Sequence, residues 1–201
     1  PIPTEASAIN GITDGMVKDH EINWDKVNEI FDMSQLCVAH NASFDRAFLD
    51  RYSEKSKSKI WACSINDIDW TQRGFTNFKL ELLSHWHGFY YDSHRAMNDV
   101  NATIHLVMHP HYTENKPIIE LINNARKFQS RVIVKFNYDK ELVNLIKSKR
   151  YFFNGATKEW SRLIAEEELD EEKEWLMTNI YHGDFSGLFE RINLIDKYKD
   201  R

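Results

Sequence analysis

A chain of 201 residues with 42% hydrophobic and 13% aromatic residues holds enough apolar material for one medium domain, or a domain with a small appendage, and does not have a disordered composition. A binder that relies on Lys and Arg alone should be basic, whereas the formal net charge here is −5; that balance leaves a nuclease open, because divalent metals supply positive charge beside a phosphate, and charge alone decides nothing. No apolar run approaches the roughly 20 residues needed to cross a bilayer and no secretion leader is visible, so the expectation is a soluble, cytoplasmic protein without membrane contact.

In chain order, Asn10–Asp14 has the residues of a turn leading into a helix. Asn23 can cap a helix with Trp24, Val27, Ile30 and Phe31 on one stripe. Gln35–His40 is a short continuous apolar run of the kind found in a buried parallel strand. It leads into a helix, capped by Asn41 or Ser43, that is expected to bury Phe44, Phe48 and Tyr52. The stretch 53–59 (SEKSKSK) reads as an exposed connection, and Ile60–Cys63 as a second buried strand. Asn77 is the expected cap of a helix with Leu80, Leu83 and Trp86 inward, stopped by Gly88. From Ala96 a further helix carries Ala96, Val100, Thr103 and Val107 on one face and ends before Pro110. Alternating strand and helix signals an α/β layer structure with a parallel sheet, although two strands are few for one.

Beyond Pro110 the character changes. Pro117 opens a helix, about 118–128, expected to link two units. Val132, Val134, Phe136 and Tyr138 alternate with other residues as in a half-buried strand, and Leu142, Leu145 and Ile146 mark a helix. A hairpin is expected around Asn154-Gly155, then an acidic helix from Glu166 to Tyr181 facing Leu169, Trp175, Leu176 and Ile180 inward, and a last strand through Ile192 and Leu194. The expected organisation is therefore 1–112 as the first domain, 113–129 as a linker helix and 130–201 as a small α+β domain. Cys37 and Cys63 show no metal spacing and are read as buried free thiols.

Two constellations have the residues for chemistry. In His40-Asn-Ala-Ser-Phe-Asp45 a strand ends and a helix begins, so Asp45 sits beside the mouth of the sheet, where ligand sites of open α/β sheets lie. Its carboxylate suits Mg²⁺ or Mn²⁺; taken alone, it equally suits the dipole of its helix. In His94-Arg-Ala-Met-Asn-Asp99 a separation of five does not align two side chains on one helical face. It works if His94 lies in the loop before the helix and Asp99 in its first turns. Taken alone, the pair equally suits a helix-entry His and a solvated Asp.

Together the two blocks resemble the DEDDh exonuclease family, which includes the proofreading epsilon subunit of bacterial DNA polymerase III. The resemblance runs from Pro1 to about Val107 and includes Pro3-Thr-Glu-Ala6, similar to the family's P-x-x-A segment, and Asn10-Gly-Ile-Thr13, similar to its H-G-I-T turn. It implies a partial ribonuclease H-like fold and hydrolysis at 3′ ends of DNA or RNA with Mg²⁺ or Mn²⁺, two ions held by four carboxylates. Asp45 and Asp99 match metal ligands and His94 the general base, whose ordinary pKa near 6.5 suits proton transfer. His40 and Asn41 match the part of the second motif that shapes the substrate site.

The family's opening D-x-E strand has no counterpart, and the chain begins at the P-x-x-A segment. The expectation is a truncated enzyme without its first strands, inactive or nearly so as it stands, with an exposed sheet edge through which a polymerase or a second copy can associate. The alternative is a non-catalytic nucleic-acid-binding or assembly module on the same scaffold. His85-x-His87 and His109-x-His111 have metal-ligand residue types without suitable spacing and are read as surface residues. Tyr151, Phe152, Phe153 and Trp160, near Lys147, Lys149, Arg150 and Lys158, are read as the core of the small domain rather than as a base-stacking surface.

Overall fold

Proline and glycine punctuate the start of the chain. In the computed structural model, which describes residues 1–199, Pro3 precedes α1 (Thr4–Asn10), and Gly11 ends it at φ +66 by donating its N–H to the Ser7 carbonyl at 2.8 Å. After α2 (Asp14–Val17), Asn23 caps α3 (Trp24–Met33) by accepting from the Lys26 N–H at 3.0 Å. There follow β1 (Leu36–Ala39), α4 (Ala42–Leu49), α5 (Glu54–Lys57), β2 (Ile60–Cys63), α6 (Leu80–Trp86), α7 (Ala96–Val107) and α8 (Pro117–Ala125). These elements belong to the first of two compact units, Pro1–Arg126 with the residues from Tyr198; the second is Lys127–Lys197.

The sheet of the first unit is the parallel pair β1–β2, in register from Leu36 opposite Ile60 to Ala39 opposite Cys63. Alternation along β2 explains its burial on both faces. Trp61 and Cys63 join Phe31 and Ala42 in one cluster, while Ala62 joins a cluster with Leu83, Leu106 and Leu121. Helices therefore cover β2 from two sides, the mixed α/β pattern consistent with a ribonuclease H-like exonuclease domain. Leu121 and Ala125 of α8, the helix expected as a linker, are fully buried in the second of these clusters.

Several burial expectations fail for a shared reason. Phe44, Phe48 and Tyr52 do form a helical stripe, but they stay exposed, Phe44 at 75%. The face of α4 that packs inward is Ala42, Ser43 and Arg46. Likewise α7 buries Ala102, Thr103, Leu106 and Val107 and leaves Ala96 and Val100 outside. Trp86, Ile30 and Val38 are also exposed. Periodicity identifies an apolar stripe and is silent on what covers it. The stretch 53–59 is not a plain exposed connection. Ser53 caps α5 at the Ser56 N–H, and the Ser56 hydroxyl reaches Asp50 at 2.5 Å, within the network of the buried Arg46. Asn77 does not cap α6; it accepts from the Lys79 N–H two residues on, and Lys79 takes the cap position.

The second unit comprises β3 (Gln129–Val134), α9 (Lys140–Ser148), β4 (Phe152–Asn154), β5 (Glu159–Ala165), α10 (Leu169–Leu176) and β6 (Leu188–Ile192). Its four strands form an antiparallel sheet in the order β4-β5-β3-β6. Asp139 caps α9 through the Glu141 and Leu142 N–H groups. Val132, Val134, Ile146 and Leu176 are fully buried between the sheet and the helices. The acidic helix starts later than expected, behind a 3₁₀ turn (Glu166–Glu168), and runs into a π turn (Met177–Tyr181). Of the four hairpin aromatics, Tyr151 and Trp160 are core, whereas Phe152 and Phe153 are exposed.

Candidate active site

β1 ends at Ala39, and the chain must turn at once to begin α4. Asn41 makes that turn in the left-handed region at φ +71, which Asn tolerates better than most residues, and its side chain forms no cap bond. The turn sets Asp45 in the first turn of α4, beside an open hollow of ≈ 660 Å³ that Asn41, Ser43, Phe44 and Phe48 also line. His40 is clamped from two directions. Its Nε2 donates to the Phe78 carbonyl at 2.9 Å, which fixes Nδ1 as the acceptor for the Ser64 hydroxyl at 2.7 Å. Burial holds its proton affinity below the ordinary imidazole value. His40 is thus a neutral strut joining the end of β1 to the segments after β2, with no ring nitrogen left for a substrate.

Asp99 arrives from the other motif, in the first turn of α7. Partial burial raises the carboxyl pKa of Asp45 and the negative charge of Asp99 adds to the rise, so Asp99 lies within electrostatic reach of Asp45. His94 precedes α7 at φ +65, a strained conformation for a side-chain-bearing residue and one recurrent at functional sites. Its main-chain N–H donates to Asp99 Oδ1 at 3.4 Å, and its Nε2 stands 3.5 Å from Glu81 Oε1 at the start of α6.

Two residues of this neighbourhood carry no signal in the sequence. Burial, and after it the nearby Asp99 and Glu81, push the Tyr91 phenol pKa upward. Glu81 reads in the sequence as a solvated residue of an amphipathic helix. Only the packing of α6 beside the His94 turn brings it in. Gly11 is drawn in as well. A Cβ there would stand 3.3 Å from the Arg95 guanidinium, so the Asn10–Thr13 turn lies against the residue that follows His94.

The resulting assembly is an acidic pair, an imidazole with a carboxylate beside it, and a phenol. Among the described residues no group of three or more His, Cys, Asp or Glu side chains could hold a metal ion. Asp45 and Asp99 carry hard carboxylate oxygens, and a cation near both would relieve their mutual repulsion. Ahead of β1 the string Asp19-His20-Glu21 lies exposed in the loop between α2 and α3, not on a strand.

The unit that carries these residues is a domain of mixed α/β type. The exonuclease family profile (RNase T) matches residues 1–107, and the chain belongs to that family. Membership points to nucleic acid as the substrate, and the family typically uses divalent metals. No curated protein and no solved structure matches the chain. Among the described residues no helix is long and apolar enough to cross a membrane.

Proposed function

We propose that this protein is a DEDDh-type 3′→5′ exonuclease, similar to the proofreading subunits of bacterial polymerases, that releases nucleoside monophosphates from single-stranded or frayed 3′ ends of DNA or RNA. The observation that carries the reading is that Asp99 lies within electrostatic reach of Asp45, from a motif some fifty residues away, with His94 bonded through its backbone to the same Asp99. Asp45 and Asp99 are the ligands for Mg²⁺ or Mn²⁺. When bound, such an ion supplies positive charge at the scissile phosphate and acidifies the attacking water. His94 takes the proton from that water. Glu81, 3.5 Å from its Nε2, orients the ring and offsets the positive charge it gains. Asn41 sets the wall of the hollow beside Asp45, and His40 holds the strand end that presents it. The open edge of the β1–β2 pair suits association with a polymerase or a second copy.

A second reading, a nucleic-acid-binding module without turnover, is favoured by the count of carboxylates. Asp45 and Asp99 make up half the ligand set of a two-ion site. The test is a 5′-labelled single-stranded oligonucleotide incubated in Mn²⁺ with the protein expressed from its full reading frame. A ladder of 3′-shortened products that disappears in Asp99→Ala supports the enzyme. No ladder, with the oligonucleotide still held in EDTA, replaces it with the binding module.

A further inference from the structure

A second chemically loaded cluster lies at the opposite ends of the helices that build the acidic site. α6 presents Glu81 near its start and Trp86 at its end, followed by His87; α7 presents Asp99 in its first turn and is followed by His109. The ten positions from Asp99 to His109 span about 15 Å at helical rise. Here the aromatic rings form a continuous stack. Trp86 lies over Phe75 at 5.4 Å, Phe75 over His87 at 4.9 Å, and His87 meets His109 edge-on at 5.2 Å. His105 and His111 follow at 5.2 and 6.5 Å from His109. Arg73, Trp86, His87, His109, His111 and Tyr112 line a hollow of ≈ 200 Å³.

His85 and His111 are exposed, as their spacing suggests, whereas His87 and His109 are half-buried. His87 Nδ1 donates to the Leu83 carbonyl at 2.6 Å, which leaves Nε2 to accept from the Tyr112 hydroxyl at 2.7 Å. His109 Nδ1 accepts from the His111 N–H at 3.3 Å. The arrangement is not a zinc-type site, since among the described residues no three such side chains could hold a metal. Its character is aromatic, with imidazoles and one guanidinium around it. The groups facing His87 are Tyr112, His109, His111 and Arg73, and those facing His109 are His87, His105 and His111. Glu120, the adjoining carboxylate, is taken up by Arg73 at 2.6 Å. The Arg73 guanidinium also lies 4.8 Å from the Tyr112 ring centre, and its buried Nε has no hydrogen-bond partner. Trp86 is 44% exposed although one of its faces lies on Phe75.

We propose that this hollow is an anchoring subsite for single-stranded nucleic acid, seating a nucleotide upstream of the 3′ end with its base on the open face of Trp86 and its phosphate against Arg73, His109 and His111. The inference rests on the exonuclease reading for the identity of the ligand. It extends the substrate path from the acidic site along α6 and α7. Flat rings with an exposed outer member stack bases irrespective of sequence, as an exonuclease substrate requires. Burial, and after it the neighbouring cationic groups, lower the proton affinity of His87 and His109. A bound phosphate reverses the sign of that electrostatic balance, so binding takes up protons and tightens as the pH falls.

The test is fluorescence anisotropy of a 5′-fluorescein ten-nucleotide oligothymidylate with the intact chain in EDTA, at pH 7.5 and pH 5.5. EDTA separates binding from hydrolysis, so the subsite can fail while the metal-dependent ladder stands, and the reverse. Trp86→Ala is expected to weaken binding about tenfold, as the loss of one stacked base predicts. His111→Ala, an exposed position that does not threaten the fold, is expected to lose several-fold affinity. His20→Ala, a histidine outside the hollow, keeps the full pH response, which separates the subsite from a general gain of charge. Wild-type affinity in either Trp86→Ala or His111→Ala overturns the proposal.

Discussion

The two units solve the packing problem differently. The second builds a four-stranded antiparallel sheet, with one hairpin (β4–β5) and helices between its other strands, and buries Val132, Val134, Ile146 and Leu176 completely. The first has one parallel pair, and its helices leave Phe44, Phe48, Met97, Val100 and Ile104 in solvent while Leu83, Leu106 and Leu121 are buried. Parallel strands need helices on both faces, and β2 obtains them, but the outer faces of α4 and α7 do not obtain a partner within the described residues. The proposed chemistry belongs to the less enclosed unit. Asp45 and Asp99 both sit in first helical turns, α4 following directly on β1, where backbone geometry holds the side chains.

The sharpest way to break this contrast is to remove function from the first unit without disturbing its packing. His94→Asn keeps a residue that tolerates positive φ and removes the base; it is expected to lower Mn²⁺-dependent 3′ shortening about 10²–10⁴-fold. Thermal stability should shift by less than about 0.5 kcal/mol. Equal activity in the variant takes His94 out of the mechanism.

For packing, the largest expected effect lies in the second unit. Leu176→Ala empties a fully buried position and is expected to cost about 2–5 kcal/mol in urea unfolding. The next lies at the His40 strut. His40→Ala leaves the Ser64 hydroxyl and the Phe78 carbonyl unpaired, for about 1–3 kcal/mol. The pH dependence has a definite sign here. Burial lowers the proton affinity of His40 in the folded state, so the unfolded chain binds a proton first as the pH falls below 6.5. The contribution of His40 is therefore complete above that pH and is lost as the pH drops. Urea midpoints at pH 7.5 and 5 should converge in part when His40 is replaced. The smallest effect belongs to Phe44→Ala, expected within about 0.5 kcal/mol despite the size of the side chain deleted. A cost like that of Leu176→Ala would mean that the outer face of α4 is covered.

What the sequence discloses follows from which forces are local. The β1–α4 junction is legible because an apolar run, an Asn able to turn left-handed and a helix start are all local, and His94 before a helix carrying Asp99 in its first turn is equally so. Tyr91 and Glu81 are not legible. Each enters by tertiary packing beside Asp99 and His94, and neither belongs to a spaced motif. The cap of α5 was hidden for a similar reason: Ser53 and Ser56 look like a solvated Ser-Lys tract until Arg46 and Asp50 are seen beside them. The stripes on α4 and α7 misled in the opposite direction, since an apolar face is written in the sequence and its cover is not.

The pairing of Asp45 with Asp99 supports the whole functional reading, and Mn²⁺ binding tests it most directly. The loss of the free-ion signal in electron paramagnetic resonance, followed as protein is titrated with Mn²⁺, reports binding without any need for turnover. The expected result is a saturable site that both Asp45→Asn and Asp99→Asn abolish, because each removes half of one shared donor set. Binding that survives in either variant contradicts a shared site and leaves the two motifs chemically unconnected.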